Sequence, residues 1–421
     1  MAAKARRVLL GATPAAASTP PRRAAADVHT RILVPLGLLV TCALLVLIQL
    51  YVAIPLAPVV GKAFGSSAAA AALGTAYSLA YAVGFLIFGP LSDRYGRKPV
   101  LVLGMAALTI ATAALSLATS MTMIGVLRAA QGLLASSFAA VALAYVGEAL
   151  LPRWRSTGIG AISTAFLVAG IAGQVYAQAV AEALSWRWVF GLTAPAFALA
   201  VAGMAVILIR PVPSGPPVSL GQKYRELAGL ARQRKLLLPY GAALTILMSF
   251  VAMYALLGPL LQTRFGLDHT DVLLVRLAGL PGMVLAPLAG WLAGRFGTTR
   301  VSVTGFVVAS AGLIAEALTA RTLRELIVAS AIFVAGIAIV VPAMIGLIGG
   351  RAGAARGGAL GLCGLALFTG ASCGQLAPEL GLGFSVPLLI LAVLLLVGAA
   401  LVAISDRSAA ASSPAQTATS V

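Results

Sequence analysis

Twelve blocks of about 20 apolar residues follow one another along the chain, and they constrain its fold more than any other feature. A helix of that length crosses the ~30 Å hydrocarbon core of a bilayer. With 61% hydrophobic and 10% charged residues, the chain has more apolar surface than a water-soluble domain covers. The sequence therefore predicts an all-α membrane protein with twelve transmembrane helices. The predicted spans, numbered 1 to 12, cover about residues 33–54, 71–91, 99–119, 122–147, 157–181, 188–209, 236–260, 271–293, 301–319, 325–349, 358–378 and 384–404.

Positive charge is distributed unevenly between the two sides of these spans. The chain carries 29 Lys and Arg against 11 Asp and Glu, a net charge of +18. With the amino terminus placed in the cytoplasm, 22 of the 29 basic residues lie in cytoplasmic tails and loops, five in outer loops and two within spans. Cytoplasmic loops of membrane proteins carry such an excess. We therefore expect both termini in the cytoplasm and interpret the charge as a topology signal, not as a nucleic-acid-binding patch.

One polar segment, residues 210–235, divides the spans into two sets of six. It contains prolines, six Lys or Arg and no long apolar run, which is typical of a linker. Its second part, 224–235, is predicted to form a basic helix on the membrane surface. The Arg-rich first residues are interpreted as a disordered tail, with a transit peptide as the alternative. The predicted organisation is a disordered basic cytoplasmic tail (1–31), a six-helix bundle (32–209), the cytoplasmic linker (210–235), a second six-helix bundle (236–405) and a C-terminal tail (406–421).

The loop between spans 2 and 3 recurs 201 residues later in the chain. "GPLSDRYGRKPV" at 89–100 aligns with "GWLAGRFGTTRV" at 290–301, and both copies connect the second and third helix of their half on the same side. The second copy has Gly294 where the first has Asp93. Two parallel six-span repeats are an architecture of secondary transporters.

The first copy fits the pattern G-x-L-[AS]-D-R-x-G-R-[KR] at every fixed position from Gly89 to Lys98. This is the loop signature of the major facilitator superfamily, and the chain resembles that family over residues 32 to 405. "RAAQG" at 128–132 and "WRWVF" at 186–190 resemble further elements of the same family. Among its members, the chain is most similar to bacterial twelve-span exporters of drugs and metabolites. The resemblance implies the major facilitator fold of two six-helix bundles.

The clustered charges of this loop are predicted to form a conformational latch. Its two glycines permit sharp turns, and a carboxylate among three cations is expected to be paired. Span 11 is predicted to start near 357–361, where free N–H groups attract a carboxylate. The resemblance implies that Asp93 bridges the two halves when the cavity opens outward and is released when they part inside. The alternative is a stop-transfer cluster that only holds the topology. The predicted latch residues are Gly89, Asp93, Arg94, Gly96, Arg97 and Lys98.

Arg128 lies about four residues inside span 4, with Gln131 and Gly132 one turn further on the same side. An arginine in hydrocarbon costs at least about 2.5–3.5 kcal/mol, so it usually faces a cavity or a partner. The resemblance supports a cavity charge that responds to protonation or to an anionic substrate. The alternative is that Arg128 snorkels to the outer headgroups.

Isolated polar side chains in otherwise apolar spans are candidates for a substrate cavity near the middle of the membrane. For each of them, hydrogen bonding between helices is the alternative. These residues are Gln49 and Tyr51 in span 1, Gln174 in span 5, Tyr254 in span 7 and Gln375 in span 11.

Acidic residues that could carry a coupled proton are few. Glu148, at the cytoplasmic end of span 4, and Asp93 are the predicted proton sites, with a structural ion pair as the alternative for Glu148. No acid occupies the middle of any predicted span, so the other candidates are Asp271 and Glu316 near the outer face. Arg276 is expected to form an outer salt bridge with one of these two, or to contact substrate.

The sequence predicts a secondary active transporter that exports small, largely apolar compounds by alternating access and proton antiport. The alternative is a facilitator or importer of one metabolite without proton coupling, because family antiporters often have an acid where this chain has Tyr51 and a Gly-Pro pair that "AGIAGQVYAQ" lacks. No metal-ligand cluster, nucleophile–base pair or phosphate loop occurs, so we expect neither an enzyme nor a cofactor. The predicted partners are a small-molecule substrate, protons and the bilayer of a bacterial inner membrane, with the protein as a monomer.

Overall fold

The computed structural model describes residues 33–150, 152–209, 219–277, 279–283, 286–319 and 322–411. The predicted tail 1–31, residues 210–218 of the linker and the end of the C-terminal tail lie outside this part. Within it there is no strand, and twelve helices are long and apolar enough to cross a membrane, which confirms the predicted fold class. Spans 1 to 12 have the bounds Val34–Tyr51, Ala71–Tyr95, Arg97–Ser116, Met121–Ala149, Thr157–Ala183, Trp186–Ile207, Lys235–Phe265, Asp271–Phe296, Thr298–Leu318, Leu323–Ala352, Arg356–Gln375 and Ser385–Arg407.

Span 1 ends at Tyr51, close to its predicted end at residue 54, but the helical path does not stop there. After a turn at Val52, the chain continues as a helix over Ala53–Phe64. Pro55 lies in the first turn of this second helix, where a missing N–H group costs no hydrogen bond. Gly65, with φ of 59°, then ends the helix in a left-handed conformation.

A single glycine connects span 2 to span 3. Tyr95 ends one helix, Arg97 begins the next, and Gly96 between them has φ of 93°, a conformation that residues with a Cβ rarely adopt. Gly297, at the equivalent place 201 residues later, has φ of 84°. The repeat seen in the sequence is therefore also a repeat of backbone geometry.

The helices of the two halves pack in the same pattern. In the first half, span 1 packs on span 5, spans 2 and 3 pack on span 4, and span 3 packs on span 6; the corresponding pairs recur in spans 7 to 12. Gly104 in span 3 faces Ser137 of span 4 so closely that a Cβ would overlap its hydroxyl. Gly305, at the repeat-related position, also lies at a close crossing, where a Cβ would come within 2.9 Å of the Val340 backbone nitrogen. Small residues at these crossings allow the helices to approach one another.

The two halves meet mainly where span 2 packs on span 11 and span 5 packs on span 8. A thirteen-residue helix, Leu220–Arg232, follows the undescribed part of the linker and packs against spans 2, 7 and 11. We call it the linker helix. It lies at the end of the molecule that carries Asp93, here called the Asp93 end; the other is called the Arg187 end.

Candidate functional site

A cavity of about 410 Å³ lies between the two halves. Its walls come from spans 1, 2, 3, 4, 5, 7, 10 and 11 and are largely apolar. Its deep end is lined by Tyr51, Tyr81 and Phe368, which are buried, and its mouth by Glu148 and Arg356, which are exposed. The cavity is therefore reached from the Asp93 end.

Aromatic rings from both halves form the deep end of the cavity. The Tyr81 and Phe368 ring centres are 4.3 Å apart, and the Phe85 and Phe368 rings are stacked at 5.6 Å. Gly364 makes room for this contact, because a Cβ there would lie 2.7 Å from the Phe85 ring. The rings join span 2 to span 11 and offer flat apolar surface to a ligand.

Direct contacts between the halves seal the Arg187 end. Thr75 of span 2 donates to the backbone carbonyl of Ser372 in span 11 at 3.3 Å, and the Ser372 hydroxyl donates to that of Ser78 at 3.1 Å. Arg276 of span 8 donates to the Gln178 side-chain oxygen of span 5 at 2.8 Å. The sequence suggested Asp271 or Glu316 as the partner of Arg276, and the structure has Gln178 instead. These three bonds close the cavity on this side.

The latch charges form an ion network at the mouth of the cavity. The Arg97 guanidinium contacts Asp93 at 2.5 Å and Glu148 at 2.9 Å, joining spans 2, 3 and 4 within the first half. Lys223 of the linker helix lies 3.3 Å from the other Asp93 oxygen. Span 11 begins at Arg356, close to the predicted start, but the ion pairs of Asp93 are with Arg97 and Lys223.

The remaining latch residues have separate contacts. Lys98 donates two hydrogen bonds of 2.7 Å, to the carbonyls of Ala205 and Leu208, and so caps the end of span 6. Arg94 lies over the Tyr95 ring at 5.5 Å. Gly89 lines the cavity wall, where no side chain narrows the space.

Arg128 is fully buried inside the first half. Its guanidinium donates to the carbonyls of Leu73 and Gln49, each at 2.7 Å, and to the Gln131 side chain at 2.5 Å. It also lies 4.2 Å from the centre of the Tyr77 ring. A guanidinium held in this way points into the bundle, so the snorkelling geometry is not the one observed.

A chain of polar side chains continues from Arg128 across the first half. Gln131 donates to Thr112 at 2.8 Å and to Gln49 at 3.2 Å, and Gln49 donates to Thr193 at 3.3 Å. The Thr193 hydroxyl lies 3.0 Å from that of Tyr176. Spans 1, 3, 4, 5 and 6 are thereby connected. Sequence reasoning missed Thr112, Thr193 and Tyr176, because a hydroxyl in a span commonly bonds its own helix and carries no distinguishing pattern.

Gly132 allows Arg128 to reach span 2. A Cβ at Gly132 would overlap the backbone carbonyl of Tyr77, so spans 2 and 4 touch there. This close approach places the Leu73 carbonyl one turn away, within reach of the Arg128 side chain. Gly132 thus positions the helix, and its neighbour Gln131 positions the charge.

Of the five polar residues predicted to line a cavity, Tyr51 is found in the described wall. Gln49 belongs to the Arg128 network, and Gln174 donates to the Gly170 carbonyl of its own helix. Gln375 packs against Gly74, where a Cβ would lie 2.5 Å from its side chain. The Tyr254 hydroxyl is enclosed in the same way by Gly279. These four side chains are buried between helices in this conformation.

Glu316 of span 9 is fully buried and accepts a short hydrogen bond from Ser330 of span 10. Its second oxygen has no partner in the described structure. Among the described residues, no group of three His, Cys, Asp or Glu side chains is placed to hold a metal ion.

Comparisons with known proteins agree with this architecture. Residues 39–285 match the model of the Major Facilitator Superfamily. The inner membrane transport protein YnfM of Escherichia coli is 29% identical over 263 residues, which are 62% of each chain. The probable transporter SCO4007 of Streptomyces coelicolor is 31% identical over 71% of this chain and 69% of its own length.

A further relative is matched over a smaller part of its own length. The efflux pump dotC of Dothistroma septosporum is 30% identical over 143 residues, 34% of this chain and 25% of that pump. The chain covers less than two thirds of the length of YnfM and of dotC. The match to the family model nevertheless takes in more than half of the chain, including the latch loop and Arg128, and it confirms the resemblance seen in the sequence. The chain belongs to the Major Facilitator Superfamily of membrane transporters.

Proposed function

We propose that the protein is a secondary exporter that moves small, largely apolar compounds by alternating access in exchange for protons. The observation that carries this proposal is the cavity between the halves, which is open at the Asp93 end and sealed at the Arg187 end. Such a cavity corresponds to one of the two states that alternating access requires. The other state opens at the Arg187 end.

The seal at the Arg187 end is of a kind that can be broken and remade. Its polar part is a few hydrogen bonds, and one hydrogen bond contributes about 0.5–1.5 kcal/mol net, or about 1.5–3 kcal/mol when one partner is charged. Binding a substrate in the cavity supplies free energy of the same order. A modest difference in affinity between the two states therefore suffices to shift their populations.

The cavity wall favours an apolar, ring-containing substrate. Stacking against Phe85, Phe368 and Tyr81 adds about 0.5–1.5 kcal/mol per aromatic pair to the burial of apolar area. Export is further supported by the similarity to the efflux pump dotC. The charged side chains lie at the mouth, where they would meet the substrate first.

Asp93 and Glu148 are the proposed proton sites because both pair with the same guanidinium. Protonating either carboxylate removes a negative charge that pairs with Arg97. The ion network that joins spans 2, 3 and 4 at the mouth is thereby weakened. A proton moving down 100 mV supplies about 2.3 kcal/mol. In the state closed at this end, we propose that Asp93 instead meets the N-terminus of span 11, as the latch hypothesis requires.

The proposed orientation places the Asp93 end and both termini in the cytoplasm of a bacterium, with the protein in the inner membrane as a monomer. It rests on the basic residues of the tails and of the loops at that end. Arg128 is not among the residues that line the described cavity. It is proposed to hold spans 1, 2 and 4 together and to respond to charge in the cavity through Tyr77, whose ring stacks on that of Tyr81.

A facilitator without proton coupling is the second candidate. Glu148 is the one carboxylate among the described residues that line the cavity, and Arg97 already pairs with it. A substrate in the deep end therefore meets no free acid. This arrangement suits a carrier that equilibrates its substrate.

Uptake into inside-out membrane vesicles distinguishes the two candidates. Vesicles with an acidic interior are offered a panel of aromatic and aliphatic compounds, with and without the pH gradient. Export by antiport predicts accumulation that collapses when an uncoupler removes the gradient. Equilibration at the same rate with and without the gradient would establish the facilitator, and vesicles without the protein provide the background.

A further inference from the structure

The contact between span 2 and span 11 changes along its length. From the Arg187 end it runs through Gly74 and Gln375 to Phe85, whose carbonyl would lie 3.5 Å from a Cβ on Gly361. Beyond Phe85 both spans line the cavity, and a Cβ on Gly89 or on Gly357 would meet nothing within 4 Å. The linker helix lies between their ends.

The linker helix is held on both sides of this gap. On the side of span 2, the Lys223 ammonium lies 3.3 Å from the Asp93 carboxylate. On the side of span 11, Leu227 and Leu230 are buried against Gly358, where a Cβ would lie 3.1 Å and 3.0 Å from their methyl groups. Lys223, Leu227 and Leu230 recur every three or four residues and therefore share one helix face.

Gly358 belongs to the first turn of span 11, the helix end that the latch hypothesis assigns to Asp93. Leu227 and Leu230 cover this turn, and Lys223 occupies the carboxylate. Asp93 cannot reach span 11 while the linker helix lies there. The contact of Asp93 with Lys223 and the proposed contact of Asp93 with the N-terminus of span 11 are therefore mutually exclusive.

We infer that the linker helix acts as a removable wedge, a helix that keeps the ends of spans 2 and 11 apart. Lys223 is the positioning residue that holds Asp93 when the cytoplasmic mouth is open. This inference rests on the latch of the proposed function and names the partner that Asp93 takes in the open state. Closure of the mouth then requires an exchange, in which Asp93 leaves Lys223 for the N-terminus of span 11 as the helix withdraws. The wedge stabilises one state of the cycle by binding that state alone.

The test measures the opening of the mouth directly in the full-length protein in lipid nanodiscs. Spin labels replace Tyr95 and Phe296, repeat-related residues at the Asp93 end that are 59% and 49% exposed. The three cysteines are first replaced by Ser. Double electron–electron resonance then reports the fractions of open and closed mouth. A partly exposed ion pair contributes up to about 1 kcal/mol, so Lys223→Gln should lower the open-to-closed ratio about two- to five-fold.

Three variants separate the wedge from a mere loss of helix stability. Lys223→Arg keeps the charge and should keep the ratio. Glu226→Gln removes the other ion pair of Lys223, at 3.6 Å within the linker helix, and should leave the ratio unchanged. In an Asp93→Asn background, Lys223→Gln should cause no further change, because the partner is already gone.

An unchanged ratio in Lys223→Gln, or an equal change in the Asp93→Asn background, would overturn the wedge. The measurement uses neither substrate nor pH gradient. If the ratio does not respond while vesicles still show gradient-driven uptake, the wedge fails and the export proposal stands. If the ratio responds while uptake ignores the gradient, the wedge stands and proton-coupled export fails.

Discussion

The guanidinium of Arg128 donates a hydrogen bond of 2.7 Å to the backbone carbonyl of Gln49, joining span 4 to span 1. Its other partners are the Leu73 carbonyl and the Gln131 side chain, and none of the three is a carboxylate. A buried cation is normally paired with an acid. Here three oxygen dipoles and the Tyr77 ring stabilise the charge, so the site has strict geometric requirements.

Replacing Arg128 should therefore affect stability as well as transport. Arg128→Ala removes the bonds that the guanidinium donates to three buried oxygens, at about 0.5–1.5 kcal/mol or more each, and we expect a lower melting temperature in detergent and loss of flux. Arg128→Lys should recover only part of the stability, because an ammonium cannot reproduce the planar fork. Arg264→Lys, at an exposed site, is the control and should behave as wild type. Wild-type melting and flux in Arg128→Ala would contradict this account.

Gly132→Ala should separate spans 2 and 4, because the added methyl group would overlap the Tyr77 carbonyl. Overpacking of this kind costs about 1–3 kcal/mol. We expect reduced expression of folded protein and an earlier melting transition. Gly125→Ala, on the same span with its nearest neighbour at 3.7 Å, is the matched control and should not destabilise the protein. Equal melting temperatures for the two variants would mean that spans 2 and 4 can part without cost.

The order of the spans and the repeat could be predicted because each depends on a local pattern. Length and apolarity place a helix in the membrane, and the Gly96 and Gly297 turns are visible as glycines at equivalent positions. What a side chain faces depends on how a helix is rotated against its neighbours, and this the sequence does not encode locally. Gln49 and Gln174 look alike in the sequence, yet one joins several helices and the other bonds its own turn.

Long-range partners were unpredictable for a related reason. Lys98 caps span 6 at Ala205 and Leu208, more than a hundred residues away in the chain. Lys223 approaches Asp93 across a similar separation. Both lysines look like ordinary positive-inside charges until the helices are assembled. The apolar wall of the cavity is likewise built from residues that resemble every other apolar position of the spans.

Asp93→Asn should leave membrane insertion intact and slow transport. The amide keeps the shape of the side chain but gives up the ion pairs with Arg97 and Lys223. Because a partly exposed pair contributes up to about 1 kcal/mol, we expect flux at equal protein to fall about two- to five-fold. Asp406→Asn removes another ion pair at the same end, with Arg351 at 3.0 Å, and is the control. Normal flux in vesicles containing Asp93→Asn would contradict the latch and favour the stop-transfer interpretation of the loop.

Arg276→Gln should weaken the seal at the Arg187 end. The wild-type guanidinium bonds Gln178 of the other half at 2.8 Å, and a hydrogen bond with one charged partner contributes about 1.5–3 kcal/mol. We therefore expect the state open at this end to become at least about ten-fold more populated. The measurement is the rate at which an impermeant maleimide, added from the Arg187 side, labels Ser163→Cys in the cavity wall, in a background without other cysteines.

Arg187→Gln is the matched control for this experiment. Arg187 lies at the same end, but its 2.7 Å hydrogen bond goes to the Ala118 carbonyl within its own half. Its loss removes a similar bond without touching the contact between the halves, so the labelling rate should stay at the wild-type value. Faster labelling in both variants would indicate general loosening of this end. Unchanged labelling in Arg276→Gln would show that the bonds of Ser372 with Thr75 and Ser78 hold this end closed without help from Gln178.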